Sequence, residues 1–132
     1  MENVLEILQN SLRHNHFLKA IYSSNFQTIL DGIGPFTVLA PVDEAFLNLP
    51  DDVFNKLLEN QDQLNMMVGQ HVFTGRYDEK DLRDTDEIIT MDNKNLAIEL
   101  HGEGLIVGGA KIIESDIECS NGIIHRVDLV LL

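Results

Sequence analysis

Apolar residues in the first third of the chain recur three and four positions apart, the period of an amphipathic helix. Val4, Leu5, Leu8 and Leu12 form one such stripe, and Phe17, Leu18, Ile21 and Tyr22 form a second after a polar break from Arg13 to His16. Phe26, Ile29 and Leu30 add a short third piece, which Asp31-Gly32 and then Gly34-Pro35 stop without tertiary help. Phe36 to Ala40 breaks the period. It is β-branched at Thr37 and Val38, hemmed by Pro35 and Pro41 and too short for a helix, so it predicts a buried strand.

Past Pro41, Asp43 is placed to cap a helix with Glu44 in its first turn and Ala45 and Phe46 behind it. Pro50, Asp51 and Asp52 start another helix carrying Val53, Leu57 and Leu58 inward, and Leu64, Met67 and Val68 continue the helical period to about Gln70. From His71 the texture changes. His71-Val72-Phe73 is strand-like, Thr74-Gly75 breaks it, and Asp78 to Leu82 fits one helical turn. Leu96, Ile98 and Leu100 then alternate with Ala97, Glu99 and His101, and Gly102-Glu103-Gly104 turns the chain into Leu105-Ile106-Val107. Gly108-Gly109 makes a second turn before Lys111 to Ile117, and Asn121-Gly122 leads into a last strand from Ile123 to Leu132, in which Val127, Leu129 and Leu131 alternate with Asp128 and Val130. Helices first and antiparallel strands after predict an α+β fold, a single domain over residues 1–132.

Charge narrows the choice of partner. Nine Lys and Arg stand against 22 Asp and Glu, a formal net charge of -13. Nucleic acid and anionic lipid take most of their affinity from cationic side chains, and no basic cluster supplies them here. No apolar run approaches the length of a membrane-spanning helix. With no Trp and few aromatics, the core is expected to be aliphatic. Cys119 has no second cysteine to pair with, which leaves the compartment open. Met1 to Leu12, interrupted by Glu2 and Glu6, does not read as a secretory signal, so a cytoplasmic location stands beside an exterior one.

Candidate chemistry is sparse. The glycines from Gly102 to Gly109 lack a following helix and the spacing of a phosphate loop, and two β-turns explain them. Ser120, His125 and Asp128 are close in sequence but have no nucleophile elbow around them, and Cys119 beside Glu118 lacks the cationic neighbours that activate a thiol. His14 and His16 diverge at a helix boundary, and no cysteine joins them as a zinc ligand. The group Asp78, Glu79, Asp81, Asp84, Asp86 and Glu87 fits no calcium loop and reads as a solvated face. His71 and His125 lie in apolar stretches and are expected to be core imidazoles bonded to backbone. No catalytic, cofactor or metal residues are therefore assigned. The competing reading is a small hydrolase or metal-dependent enzyme built on His71, His125 and the acidic residues.

Two long segments carry a family resemblance. Phe36-Thr37-Val38-Leu39-Ala40-Pro41-Val42-Asp43-Glu44-Ala45-Phe46 resembles the first signature of the fasciclin domain, a strand passing through Ala-Pro into a helix. Asn121-Gly122-Ile123-Ile124-His125-Arg126-Val127-Asp128-Leu129-Val130-Leu131 is similar to its closing strand. The resemblance covers essentially the whole chain and points to single-domain, prokaryotic-type members. It implies a β-wedge of mixed and antiparallel strands with N-terminal and mid-chain helices packed on it. Thr37, Ala40, Pro41, Asp43, Ala45, Phe46, His71, Asn121, Gly122, His125, Val127 and Asp128 would be structural motif positions. It also implies a monomeric adhesion module, extracellular or at the cell surface, that contacts protein or polysaccharide without cofactor. Animal members that engage integrins resemble one another in a Tyr-His pair, and here Gln70-His71-Val72 stands at that place without the tyrosine. Gln70, His71 and Val72 are the candidate partner-binding residues, and integrin binding is not carried over.

Overall fold

The structure is a computed structural model that describes residues 1–50 and 52–132. Asp51, placed above at a helix start, lies outside the described residues. Three helices open the chain: α1 (Val4–Asn10), α2 (Asn15–Ser23) and α3 (Phe26–Leu30). The Asn3 side chain accepts from the Glu6 backbone while the Glu6 carboxylate accepts from the Asn3 N–H, a reciprocal cap that fixes where α1 begins. β1 (Phe36–Pro41) follows and is buried along its whole length.

α4 (Asp43–Leu47) begins one residue earlier than a capping Asp43 requires. Val42 holds the cap position, and the Asp43 carboxylate turns away to bond with α2. The continuous helix expected to Gln70 is two, α5 (Val53–Glu59) and α6 (Gln61–Gly69). Asn60 leaves helical geometry and accepts from the Gln63 N–H, so a good N-cap residue interrupts the apolar period. β2 (Val72–Thr74) and α7 (Glu79–Arg83) come next, the latter held by reciprocal caps between Asp78 and Asp81.

The remaining strands are β3 (Glu87–Ile89), β4 (Asn95–His101), β5 (Gly104–Val107), β6 (Ala110–Cys119) and β7 (Gly122–Val127). Among the described residues β1 to β7 together form one seven-stranded sheet in the order β2-β1-β7-β6-β5-β4-β3. Every neighbouring pair is antiparallel except β1 and β7, which run parallel from Phe36 opposite Gly122 to Pro41 opposite Val127. The sheet is thus mixed, with helices packed on it, as the α+β expectation has it. β3 had no signal strong enough to predict it. The last strand stops at Val127 and does not run to Leu132, so the inward alternation expected of Leu129 fails: Leu129 is exposed while Leu131 is buried.

Two aliphatic cores lie on opposite faces of the sheet, as period-two alternation demands. Val38 and Ala40 face the helices with Phe17, Phe26, Met67 and Ile124. Leu39 faces the other way, with Phe73, Leu82, Leu105 and Val127.

The layers meet at Asn121, in the turn before β7. Its Oδ1 accepts from the Val4 N–H at 2.9 Å, and its Nδ2 donates to the carbonyls of Leu30 at 2.8 Å and Gly32 at 2.9 Å. Its own carbonyl accepts from the Phe36 N–H at 2.9 Å. One buried amide therefore joins the start of α1, the end of α3 and the entry to β1. The backbone approach here leaves no room for a side chain on Gly122, where an added Cβ would stand 2.1 Å from the Phe36 carbonyl oxygen.

Gly122→Ala is therefore expected to destabilise the fold by about 3 kcal/mol in urea unfolding. Gly109→Ala, at a positive φ of 88° but in open space, is expected to lose about 1 kcal/mol.

Candidate functional site

The two imidazoles singled out by the sequence are both at 0% exposure. The Leu131 N–H donates to His71 Nε2 at 2.9 Å, which leaves Nδ1–H to donate to the Met67 carbonyl at 2.7 Å. His71 thereby ties the C-terminal tail to α6. Burial holds its pKa down to about 4 against the opposing pull of the Met67 carbonyl. His125 adopts the other tautomer. The Asp116 N–H donates to its Nδ1 at 3.2 Å, and Nε2–H donates to the Tyr77 carbonyl at 2.7 Å. Burial lowers its pKa as well, with the Tyr77 bond opposing. Thr37, also buried, finishes this corner: its hydroxyl donates to the Gly75 carbonyl at 2.7 Å and accepts from the Tyr77 N–H at 2.9 Å.

Other groups considered for catalysis are engaged elsewhere. Asp128 Oδ1 accepts from the Lys111 N–H at 2.9 Å, and Ser120, exposed at the turn before β7, has no His125 ring nitrogen left to activate it. Burial pushes the Cys119 thiol up to about 11, so it stays protonated. Asp78 and Asp81 are occupied in capping α7, and Glu79 pairs with Arg83 at 3.7 Å. Among the described residues no three His, Cys, Asp or Glu side chains converge as a metal-ligand set. No helix among them is long and apolar enough to cross a membrane.

Of the partner-binding candidates, His71 and Val72 are fully buried and Gln70 nearly so. Gln70 lines a surface hollow of about 160 Å³ with Leu57, Met66, Met67 and Leu132. Among the motif positions, Ala40, Pro41, Ala45, Phe46, Gly122 and Val127 are buried where the two cores meet the sheet.

A second concave region was not foreseen. Asp43 Oδ1 lies 2.9 Å from both the His16 N–H and His16 Nδ1, and Asn15 Nδ2 donates to Oδ2 at 3.3 Å. Burial works against the charge on Asp43, yet the bonds from His16 and Asn15 outweigh it and hold its pKa below the ordinary carboxylate value. The His16 ring, fixed in this way, stacks on Phe46 with centroids 5.4 Å apart and planes 19° off parallel. Phe54 sets its edge against both, at 5.6 Å from His16 and 5.1 Å from Phe46. Hollows of about 250 and 240 Å³ flank this trio and share His16, Phe54 and Asn55. His14, two residues earlier, points inward instead. Burial, aided by the nearby Arg126 charge, pushes its pKa down to about 4.

The Fasciclin domain family model matches residues 12–132. An uncharacterized protein of Synechocystis, sll1735, is 36% identical over 132 residues, covering all of this chain and 98% of the relative. Transforming growth factor-beta-induced protein ig-h3 of Sus scrofa is 26% identical over 98% of this chain, which spans 19% of that protein. A protein named heme ligase in Plasmodium falciparum is 27% identical over 96% of this chain and 69% of its own length. In three dimensions the chain is similar to a FAS1 domain pair from the insect cell adhesion molecule Fasciclin I, with a TM-score of 0.82 at 22% identity over 99% of this chain and 51% of that one.

The neutral imidazoles set a pH dependence. An unfolded His71 takes up a proton near its ordinary value of 6.5 while the folded one resists to about 4. The unfolded state therefore binds more protons across that window, and stability is lost as the pH falls. Urea unfolding is expected to lose on the order of 3 kcal/mol between pH 7 and pH 4 from His71, with His14 adding to the loss. Replacing His71 by Gln should flatten the slope while lowering stability at pH 7.

Proposed function

The chain belongs to the fasciclin domain family, and from that premise we propose that it is a non-catalytic binding module acting as one monomeric unit of residues 1–132 at the cell surface or outside the cell. The observation that carries this reading is the state of His71 and His125. Each spends both ring nitrogens on backbone groups in the dry interior, so neither retains a lone pair or a proton for a substrate. A hydrolase built on these two residues has no accessible base. One structural neighbour is titled a cell adhesion molecule, which supports a contact role, whereas the relative named heme ligase does not.

What remains for function is the surface. A partner reaching the Gln70-His71-Val72 segment meets Gln70 in its hollow, with His71 and Val72 behind it as support. The exposed Met66 and Leu132 beside Gln70 would give a protein partner apolar area to cover. The net charge of -13 keeps non-specific association low and directs the module to neutral or cationic partners, protein or polysaccharide.

The purified chain is expected to bind cell-envelope fractions of its source saturably, with no change on adding a metal chelator. Co-sedimentation over a concentration series measures this. Retention of all the chain in the supernatant, or turnover of ester or glycoside substrates that survives repurification, would sink the reading.

A further inference from the structure

We propose that the two hollows around Phe54 form a subsite for one or two pyranose units of a neutral polysaccharide, an inference that rests on the binding-module reading and names its ligand. A sugar ring presents two chemistries at once: an apolar face of C–H bonds, and a rim of hydroxyls that each donate and accept. A site for it needs an aromatic or aliphatic wall with mixed polar side chains at the edge. Phe54, half-buried and set edge-on to the His16 and Phe46 stack, is such a wall, and the exposed Leu47 extends it.

The rim is present as well. Asn15, Lys19 and Asn55 line one hollow and Asp52 lines the other. Asp43 binds His16 through Nδ1, which in the neutral ring puts the proton there and leaves Nε2 as an acceptor. Lys19 donates, Nε2 accepts, and the Asn55 amide does both. This is the balance hydroxyls require. Asp43 also serves as a positioning residue, since its hold on the His16 backbone and ring keeps the stack from turning.

Size and polarity separate this region from the hollow at Gln70. At about 250 and 240 Å³, neither hollow reaches the roughly 300 Å³ at which ligand sites begin, but the two lie side by side with His16, Phe54 and Asn55 as common walls. The Gln70 hollow is smaller and walled mainly by Leu57, Met66, Met67 and Leu132, with Gln63 and Gln70 as its polar side chains and no charged one. Asp43 and Asp52 at the cleft, within a chain of net charge -13, outweigh Lys19 and set acidic polysaccharides aside.

The test titrates the isotope-labelled full chain with four neutral hexasaccharides, of glucose, mannose, galactose and N-acetylglucosamine, and follows backbone amides by NMR. At least one is expected to shift His16, Phe54 and Asn55. Phe54→Leu, which keeps apolar volume but removes the ring, and Asn55→Ala, on an exposed residue, should each weaken binding roughly tenfold while holding the melting temperature within about 3 °C. Lys94→Ala, on an exposed residue just before β4 that lines none of the hollows, should bind as the parent does. No shift with any of the four, shifts that map elsewhere, or both cleft variants binding normally overturns the proposal. Envelope binding separates the two levels of the account. If the parent binds and Phe54→Leu binds equally, the cleft proposal fails and the module reading stands. If binding is lost to protease but survives periodate oxidation of vicinal diols, the partner is a protein and the proposal fails. If the parent does not bind at all, the module reading fails with it.

Discussion

The fold depends on one buried amide. A helical layer and a mixed sheet could slide against each other along their aliphatic interface, because hydrophobic burial has no direction. Asn121 supplies the direction. Its oxygen must accept and its nitrogen must donate twice, and the three backbone groups that answer it belong to the start of α1 and the end of α3. Its own carbonyl receives the Phe36 N–H that starts β1. No other side chain of this size meets both demands: aspartate has no donor for the Leu30 and Gly32 carbonyls, and leucine leaves all three partners dry and unpaired. Gly122 lets the β1 backbone come close enough for these bonds to form.

The same economy governs the histidines. His71 and His125 sit in opposite tautomers because the fold offers each a different arrangement of donor and acceptor, and each is kept neutral by burial. Residues that would be natural acids or bases elsewhere are consumed here as fasteners, one for the C-terminal tail and one for the loop through Tyr77. His16 shows the contrast. Fixed by Asp43 and stacked on Phe46, it is as firmly placed as the buried rings yet stands at the rim of a cleft.

Local signals carried most of the secondary structure. The helical periods at Val4 to Tyr22, the Asn121-Gly122 turn and the glycine turns of the second half all act within a few residues, and the structure has them there, except that α1 ends at Asn10 and leaves Leu12 exposed. The failures are of longer range. The parallel pairing of β1 with β7 joins Phe36 to Gly122 and leaves no mark in either segment. The apolar period from Val53 to Val68 hid the break at Asn60, because a cap residue competes with helix continuation only through its own side chain. Leu129 looked inward on alternation, but the strand ends at Val127, and the His71 bond to Leu131 redirects the tail. The cleft was illegible for a similar reason: Asp43 was read as a cap for its own helix, while its partner His16 lies 27 residues away.

Residue-resolved hydrogen exchange of Asn121→Ala against the parent tests the central claim most directly. If this side chain fastens the helical layer to the sheet, amides along α1 and at Phe36 lose protection together, on the order of a hundredfold, while the β4–β5 hairpin loses much less. Protection in α1 that stays at the parent level, with change confined to Val4, would contradict it.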